Sequence, residues 1–195
     1  MMQKRFIAEQ ELLEDSYRLA RLIHQSGFRP DFVVGVWRGG STVGIYVQEC
    51  LQYFGLETDH ISVRTSYCGR EDYFEQLEQG NEMRAHGLQY LFENLNAEDA
   101  LLIVDDVYST GRNVQAIVNR LRIKTKRNMA NDVRIAAPYY RSASNDPACA
   151  PDYFLQQTND WLVLPYELTG ISRSEMAQHK SWVLPLLDEL KPNWQ

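Results

Sequence analysis

Two carboxylates, Asp105 and Asp106, stand side by side at the end of an uninterrupted apolar run, Leu101-Leu102-Ile103-Val104. After Val107 and Tyr108 come Ser109, Thr110, Gly111, Arg112 and Asn113. An apolar run with no polar alternation predicts a central parallel strand, and open α/β sheets bind ligands at the carboxyl ends of such strands. Val114, Ile117, Val118 and Leu121 repeat at helical spacing, so a helix is predicted from about Arg112 to Lys126. Backbone N–H groups opening a helix, hydroxyls beside them and a glycine that admits close approach make a phosphate cradle. Paired acids beside that cradle suit a diol or a hydrated cation, so the spacing points to a sugar phosphate. Aspartates also cap helices, but capping accounts for neither the second acid nor the Thr110-Gly111 pair.

Two further constellations fall on other predicted strand ends. Val34-Gly35-Val36-Trp37-Arg38-Gly39-Gly40 follows a buried strand and precedes a helix. Its glycines let backbone N–H groups approach an anion, while the Arg38 guanidinium adds charge. Trp37, like most aromatics after a strand, reads as packing. Nearer the C-terminus, Arg141 ends Pro138-Tyr139-Tyr140-Arg141, and Trp161, Leu162, Tyr166 and Glu167 fall in the segment from Thr158 to Glu167. A flat aromatic such as Trp161 is a platform for a flat base, a contact worth about 1–3 kcal/mol by analogy with nucleic-acid stacking. Tyr166 reads as structural.

Leu101 to Asn113 resembles the phosphoribosyl-diphosphate (PRPP) motif of type I phosphoribosyltransferases: an apolar strand, two acids, two variable residues, then Asp-Thr-Gly and usually Thr. Ser109 stands in place of the third acid and Asn113 in place of the threonine. Arg38, Gly39 and Gly40 resemble that family's pyrophosphate loop. The stretches 138–141, 151–154 and 158–167 resemble the hood of the xanthine–guanine and hypoxanthine enzymes, in which a lysine contacts the purine 6-oxo group, an aromatic stacks and a later acid approaches the base edge and metal. The resemblance implies transfer of the 5-phosphoribosyl group from PRPP to a 6-oxopurine (hypoxanthine, guanine or xanthine) with release of pyrophosphate. It implies that Asp105, Asp106 and Ser109 occupy the catalytic positions, and that Ser109, Thr110, Gly111, Arg112 and Asn113 hold the PRPP phosphate. Arg141, Trp161, Leu162 and Glu167 would contact the base; Asp105, Asp106 and Glu167 would hold Mg²⁺. The segment Arg64 to Arg70 sits where the family has a loop closing over the reaction, and the family is usually dimeric or tetrameric, so a homo-oligomer is implied.

Ser109 departs from the family in a way that bears on chemistry. A serine holds no negative charge near neutral pH and cannot replace a carboxylate base, a role worth about 10²–10⁴-fold in rate. Arg141 offers a compensation, because a guanidinium bonds the O6 and N7 edge of a 6-oxopurine, as arginine does with guanine in DNA. A non-catalytic PRPP- or nucleotide-sensing regulator of the same fold is the alternative that Ser109 favours. A phosphohydrolase with Asp105 as nucleophile explains the paired acids but neither the Thr-Gly cradle nor the hood.

The elements that must position these residues follow from patterning. The 195-residue chain, 44% hydrophobic and 24% charged, is expected to form a single domain over 1–195 with a hood at about 139–170. The predicted fold class is α/β: a mostly parallel sheet flanked by helices. Helices are predicted at 9–26, 42–54 and 175–190, and strands at 32–37, 58–65 and 133–140. Residues 153–157 and 162–164 are read as short strands of a small cap, 66–99 as a loop followed by a hairpin or turn, and 142–152 as a loop. A net charge of −6 argues against nucleic acid as a partner, and Lys124, Lys126 and Arg127 read as a solvated helix end. Cys50, Cys68 and Cys149 lack metal-ligand spacing and suggest reduced thiols. No apolar run has bilayer length and no signal-peptide core is present, so a cytoplasmic protein with no membrane contact is expected.

Overall fold

The structure, a computed structural model, describes residues 4–65, 85–142 and 150–189. Its main sheet contains β2 (Phe32–Trp37), β3 (Asp59–Thr65), β4 (Ala85–His86), β5 (Ala100–Val104), β6 (Val107–Tyr108), β7 (Asp132–Arg141) and β8 (Tyr153–Thr158). All pairings are parallel except that of β4 with β3 at one edge. The order runs β4-β3-β2-β5-β7, with β6 and β8 also paired to β7. Chain order therefore reverses between β2 and β5, which makes that gap the topological switch point of the sheet.

Helices cover both faces. On one side α1 (Glu9–Gln25) and α2 (Gly39–Tyr53) pack with Leu19, Ile23, Val43, Val47 and Leu51 against Val33, Leu102 and Val104. On the other, α3 (Gln89–Asn94) and α4 (Arg112–Thr125) pack with Leu91, Val114, Ile117 and Leu121 against Val34, Leu101 and Ile103. Consecutive residues of β5 thus serve opposite cores, which is why its sequence shows no polar alternation.

β5 and β6 lie on one line interrupted by the two aspartates. Val104 pairs with Ala136 and Val107 with Tyr139, so β7 runs past the interruption in register. The Asp105 N–H still donates to Ala136 O at 2.9 Å. The carboxylates therefore sit at a fixed break in an otherwise continuous ladder rather than on a free loop.

Several expectations are corrected. The second helix begins at Gly39, earlier than 42, because both glycines of Arg38-Gly39-Gly40 form its first turn. Within 66–99, β4 and helix α3 replace the expected hairpin or turn; Leu88, Leu91 and Leu95 bury one side of that short helix. Residues 66–84, including Ser66, Tyr67, Cys68 and Arg70, lie outside the described residues, as do 143–149 with Cys149. Tyr153–Thr158 is not part of a cap: β8 joins the main sheet through Ala136↔Tyr153 to Arg141↔Thr158. β9 (Trp161–Val163) instead pairs in parallel with β1 (Lys4–Phe6), a strand too short to show periodicity, and these form a separate two-stranded sheet. The expected helix 175–190 divides into α5 (Arg173–His179) and α6 (Val183–Glu189). A capping box between Ser172 and Glu175 starts α5, and the chain leaves the helix at Lys180, whose side chain turns inward. Lys124, Lys126 and Arg127 are exposed, as expected. No described helix is long and apolar enough to cross a membrane.

One buried carboxylate ties α1 to the sheet. Asp15, 2% exposed, accepts from Tyr139 Oη and Gln156 Nε2 at 3.1 Å each and pairs with Arg18 at 2.7 Å. Its removal strands the buried Tyr139 hydroxyl and the half-buried Gln156 amide. Asp15→Ala should lower unfolding free energy by about 2–3 kcal/mol, read as a shifted denaturant midpoint at constant slope; an unchanged midpoint would show that the node contributes nothing.

Candidate functional site

A cavity of about 260 Å³ opens at the carboxyl ends of β2 and β5, where the switch point predicts it. Asp105 and Asp106 face it between two walls. One wall carries Trp37, Arg38 and Gly39 from the β2–α2 junction with Arg64 and Thr65 from the end of β3. Ser109 from the turn before α4, Asn113 from its first turn, Arg141 from β7, and Trp161, Leu162, Leu164, Tyr166 and Glu167 complete the lining.

The carboxylates are held apart in role by their surroundings. Asp105 is 7% exposed, and its Oδ1 accepts the Asp106 N–H at 3.0 Å. Burial first, then the neighbouring Asp106, holds its pKa well above the usual carboxylate range. Asp106 is more open: Oδ1 accepts the Val107 N–H at 2.7 Å, and the Tyr166 hydroxyl donates to Oδ2. Burial and then Asp106 push the Tyr166 phenol far upward, so it remains a donor.

Glycines admit this arrangement. A Cβ on Gly39 would overlap both the Tyr166 ring and the Asp106 carboxylate, and one on Gly40 would strike the Val104 carbonyl and Asp105 Cα. Gly40 lies beneath the cavity, not on its wall; its role in the structure is to seat α2 directly on β5. The peptide between Trp37 and Arg38 is cis. Arg38 is exposed at the mouth, and Trp37, expected as packing, is 58% exposed on the cavity wall.

At the start of α4, Gly111 has φ +71° as the N-terminal cap, and a side chain there would collide with the Tyr108 hydroxyl. Ser109 and Asn113 reach the cavity, whereas Thr110, Gly111 and Arg112 sit at the helix start outside its lining. Ser109 Oγ accepts from Arg141 through both Nε (3.3 Å) and an Nη (3.2 Å). The guanidinium carbon lies 4.6 Å from the Trp161 ring centroid, a cation–π arrangement. Sequence positions 109, 141 and 161 thus meet in one cluster.

Glu167 turns partly away from the carboxylate pair. Its Oε2 accepts the Leu164 N–H at 3.1 Å, and burial is the main reason its pKa is raised. Asp105, Asp106 and Glu167 do not assemble into a three-ligand metal cluster, and no other such group exists among the described residues. Hard oxygen donors at the adjacent pair, with no cation acting on Asp105, still fit a magnesium ion completed by substrate oxygens and water. Tyr166, read as structural, is a wall residue bonded to Asp106. The hint was its place next to Glu167. Arg64 belongs to the same sheet edge as Trp37, its register partner. Cys50 is half-buried with its thiol pKa raised by burial, so it is no reactive thiolate.

The phosphoribosyl transferase domain model matches residues 2–169. Among solved structures, a purine phosphoribosyltransferase from Pyrococcus horikoshii is 19% identical with TM-score 0.63, covering 88% of this chain and 99% of its own. The xanthine–guanine–hypoxanthine phosphoribosyltransferase of Helicobacter pylori is 15% identical with TM-score 0.62, covering 92% and 99%. A Neisseria gonorrhoeae protein solved with bound ppGpp is 17% identical with TM-score 0.64, covering 93% and 98%. No curated protein sequence matches significantly.

The raised pKa of Asp105 carries a sign. An acid whose folded pKa exceeds its unfolded value binds protons more tightly when folded. The ligand-free protein therefore loses stability as pH rises above the ordinary carboxylate range. Asp105→Asn keeps the acceptor for Asp106 N–H and removes the buried charge. Its melting temperature without ligand should exceed wild type, by about 2–4 °C per kcal/mol relieved, with a flatter pH dependence; a lower melting temperature would show that the charge is already neutralised.

Proposed function

This chain belongs to the phosphoribosyltransferase family, and on that premise we propose that it transfers the 5-phosphoribosyl group of PRPP to a 6-oxopurine, releasing pyrophosphate. The observation that carries the proposal is the facing of Arg141 and Trp161 with the Asp105–Asp106 pair across one cavity. Arg141 offers donors to O6 and N7, Trp161 offers a ring face or edge, and backbone near Leu162 meets the opposite edge of the base. Ser109, Thr110, Gly111, Arg112 and Asn113 would receive the 5′-phosphate at the N-terminus of α4. Arg38, with the N–H of Gly39, would receive the pyrophosphate, Gly40 would serve by letting α2 approach β5, and Arg64 faces the same space. Asp105 and Asp106 would accept the ribose hydroxyls and hold Mg²⁺, which when bound neutralises the departing pyrophosphate. Shielding by the walls would limit capture of an oxocarbenium-like carbon by water. The purine resemblance of two structural neighbours supports the choice of base.

A second reading has one observation behind it. The N. gonorrhoeae neighbour holds ppGpp, and Ser109 stands in place of the family acid, so a guanine-nucleotide sensor of the same fold would use the same cavity. Pyrophosphate release from PRPP with hypoxanthine, guanine and xanthine separately decides. Base-dependent release supports the transferase; tight ppGpp binding with no release for any base supports the sensor.

Ser109 sets the pH behaviour of the transferase. With Arg141 at the O6/N7 edge and no carboxylate at position 109, a purine reacts best as its anion. Rate should rise with pH toward the base's own ionisation, less steeply for xanthine, the more acidic base, than for hypoxanthine. An aspartate at position 109 would lie within reach of both Arg141 donors and form a bidentate pair. Ser109→Asp should therefore raise the KM for xanthine about tenfold or more, a loss of about 1.4 kcal/mol. A wild-type profile falling off on an acidic limb near a carboxylate pKa would instead make Glu167 or one of the paired aspartates the base.

A further inference from the structure

Lys180 lies beyond the residues matched by the family domain, in the break between α5 and α6, and is 5% exposed. Its Nζ donates to the carbonyls of Leu164 (2.7 Å), Pro165 (2.9 Å) and Glu167 (2.5 Å). An ammonium has three protons, and three carbonyls of one turn take them. The same turn closes on itself: Glu167 N–H donates to Leu164 O at 3.0 Å, and Leu164 N–H donates to Glu167 Oε2 at 3.1 Å. Leu164, Tyr166 and Glu167 from this turn face the cavity.

The residue is delivered by an anchored element. Lys4 of β1 pairs with Glu175 of α5 at 2.9 Å, and His179 stacks on Phe6 with ring centroids 4.0 Å apart and planes 6° apart. β1 in turn pairs with β9, which carries Trp161 and Leu162. Both ends of the described chain therefore converge on the segment proposed to bind the base. A buried ammonium is costly to desolvate, and burial lowers the Lys180 pKa while Glu167 opposes that shift. Helix continuity is also given up at this point. A methionine or leucine would fill the space without either cost, and neither would fix three carbonyls.

We propose that Lys180 is a positioning residue for the base half of the site: by gathering the carbonyls of Leu164, Pro165 and Glu167, it fixes the turn that presents Tyr166 and Glu167 to the cavity. It touches no substrate. Through the Tyr166–Asp106 hydrogen bond, the fixed turn also sets where the base half stands relative to the carboxylate pair. The proposal rests on the transferase reading for its kinetic consequence, though not for its structural one.

The test compares KM for the purine and for PRPP in wild type, Lys180→Met and Lys180→Ala. Loss of charged hydrogen bonds to three carbonyls should raise the purine KM about tenfold or more, with PRPP KM within about twofold. Propylammonium, which supplies the excised Cγ-to-Nζ fragment, should lower the purine KM again in Lys180→Ala. Equal rises in both KM values, or no change in either, would overturn the proposal. If Lys180→Met does not accumulate folded, Lys180→Arg carries the same comparison: its planar fork keeps the charge but not the three-way geometry. Amide exchange separates this from the functional reading. In the lysine variants the Glu167 amide should lose protection while Leu101 to Val104 retain theirs, whether or not the wild type turns over a base. Wild-type inactivity counts against the transferase alone; an unaltered Glu167 amide counts against Lys180.

Discussion

The constraint on which this structure depends is the placing of two adjacent carboxylates, one buried and one half-buried, at a break in a central strand. Side by side in a low-dielectric setting, two negative charges cannot both ionise cheaply. The fold answers by giving them different environments. Asp105 is enclosed, with a raised pKa, while Asp106 takes a backbone N–H and a phenol. Because β7 continues past the break in register, neither can relax by moving the backbone. A carboxylate with a raised pKa beside a like charge in a cavity is a candidate functional group.

The neighbouring glycines follow from that constraint. α2 begins almost on the carboxylates: a side chain at 39 would collide with the Asp106 carboxylate and Tyr166, and one at 40 with the Val104 carbonyl and Asp105 Cα beneath them. Arg38 and Arg64, both exposed, stand at the mouth of the same cavity. Opposite, the Arg141–Ser109–Trp161 cluster offers a cation and an aromatic face together. One side of the cavity carries the paired carboxylates with Arg38 and Arg64, the other a cation stacked on an aromatic ring, and Tyr166, on the turn that Lys180 gathers, bonds across to Asp106.

The central strands, the helices packed on them and the paired acids were legible in the sequence because each is local: a run of apolar residues, a 3.6-residue period, a motif of thirteen contiguous positions. The break in the ladder was not, since it depends on where β7 pairs. β8 was misread as a cap because its edge position allows the mixed composition of Tyr153-Phe154-Leu155-Gln156-Gln157-Thr158. β1 is too short for periodicity and exists through its partner β9. Arg141, Trp161 and Glu167 were found by motif, yet the stacking of Arg141 on Trp161 and the turning of Glu167 toward Leu164 are tertiary facts. Tyr166 and Lys180 escaped for the same reason: a tyrosine in an apolar segment and a lysine after a helix are ordinary by composition, and only their partners make them specific.

Proton release on PRPP binding tests the account of the carboxylate pair most directly. Calorimetry of Mg²⁺–PRPP binding in buffers of different ionisation enthalpy, repeated at a series of pH values above the ordinary carboxylate range, counts the protons displaced. The account predicts that wild type releases more protons than Asp105→Asn, because ligation draws the raised pKa of Asp105 back toward the carboxylate range. It also predicts weaker PRPP binding in the variant when Mg²⁺ is present. Equal proton release with equal affinity in the two proteins would contradict it, and would place the ligand away from Asp105.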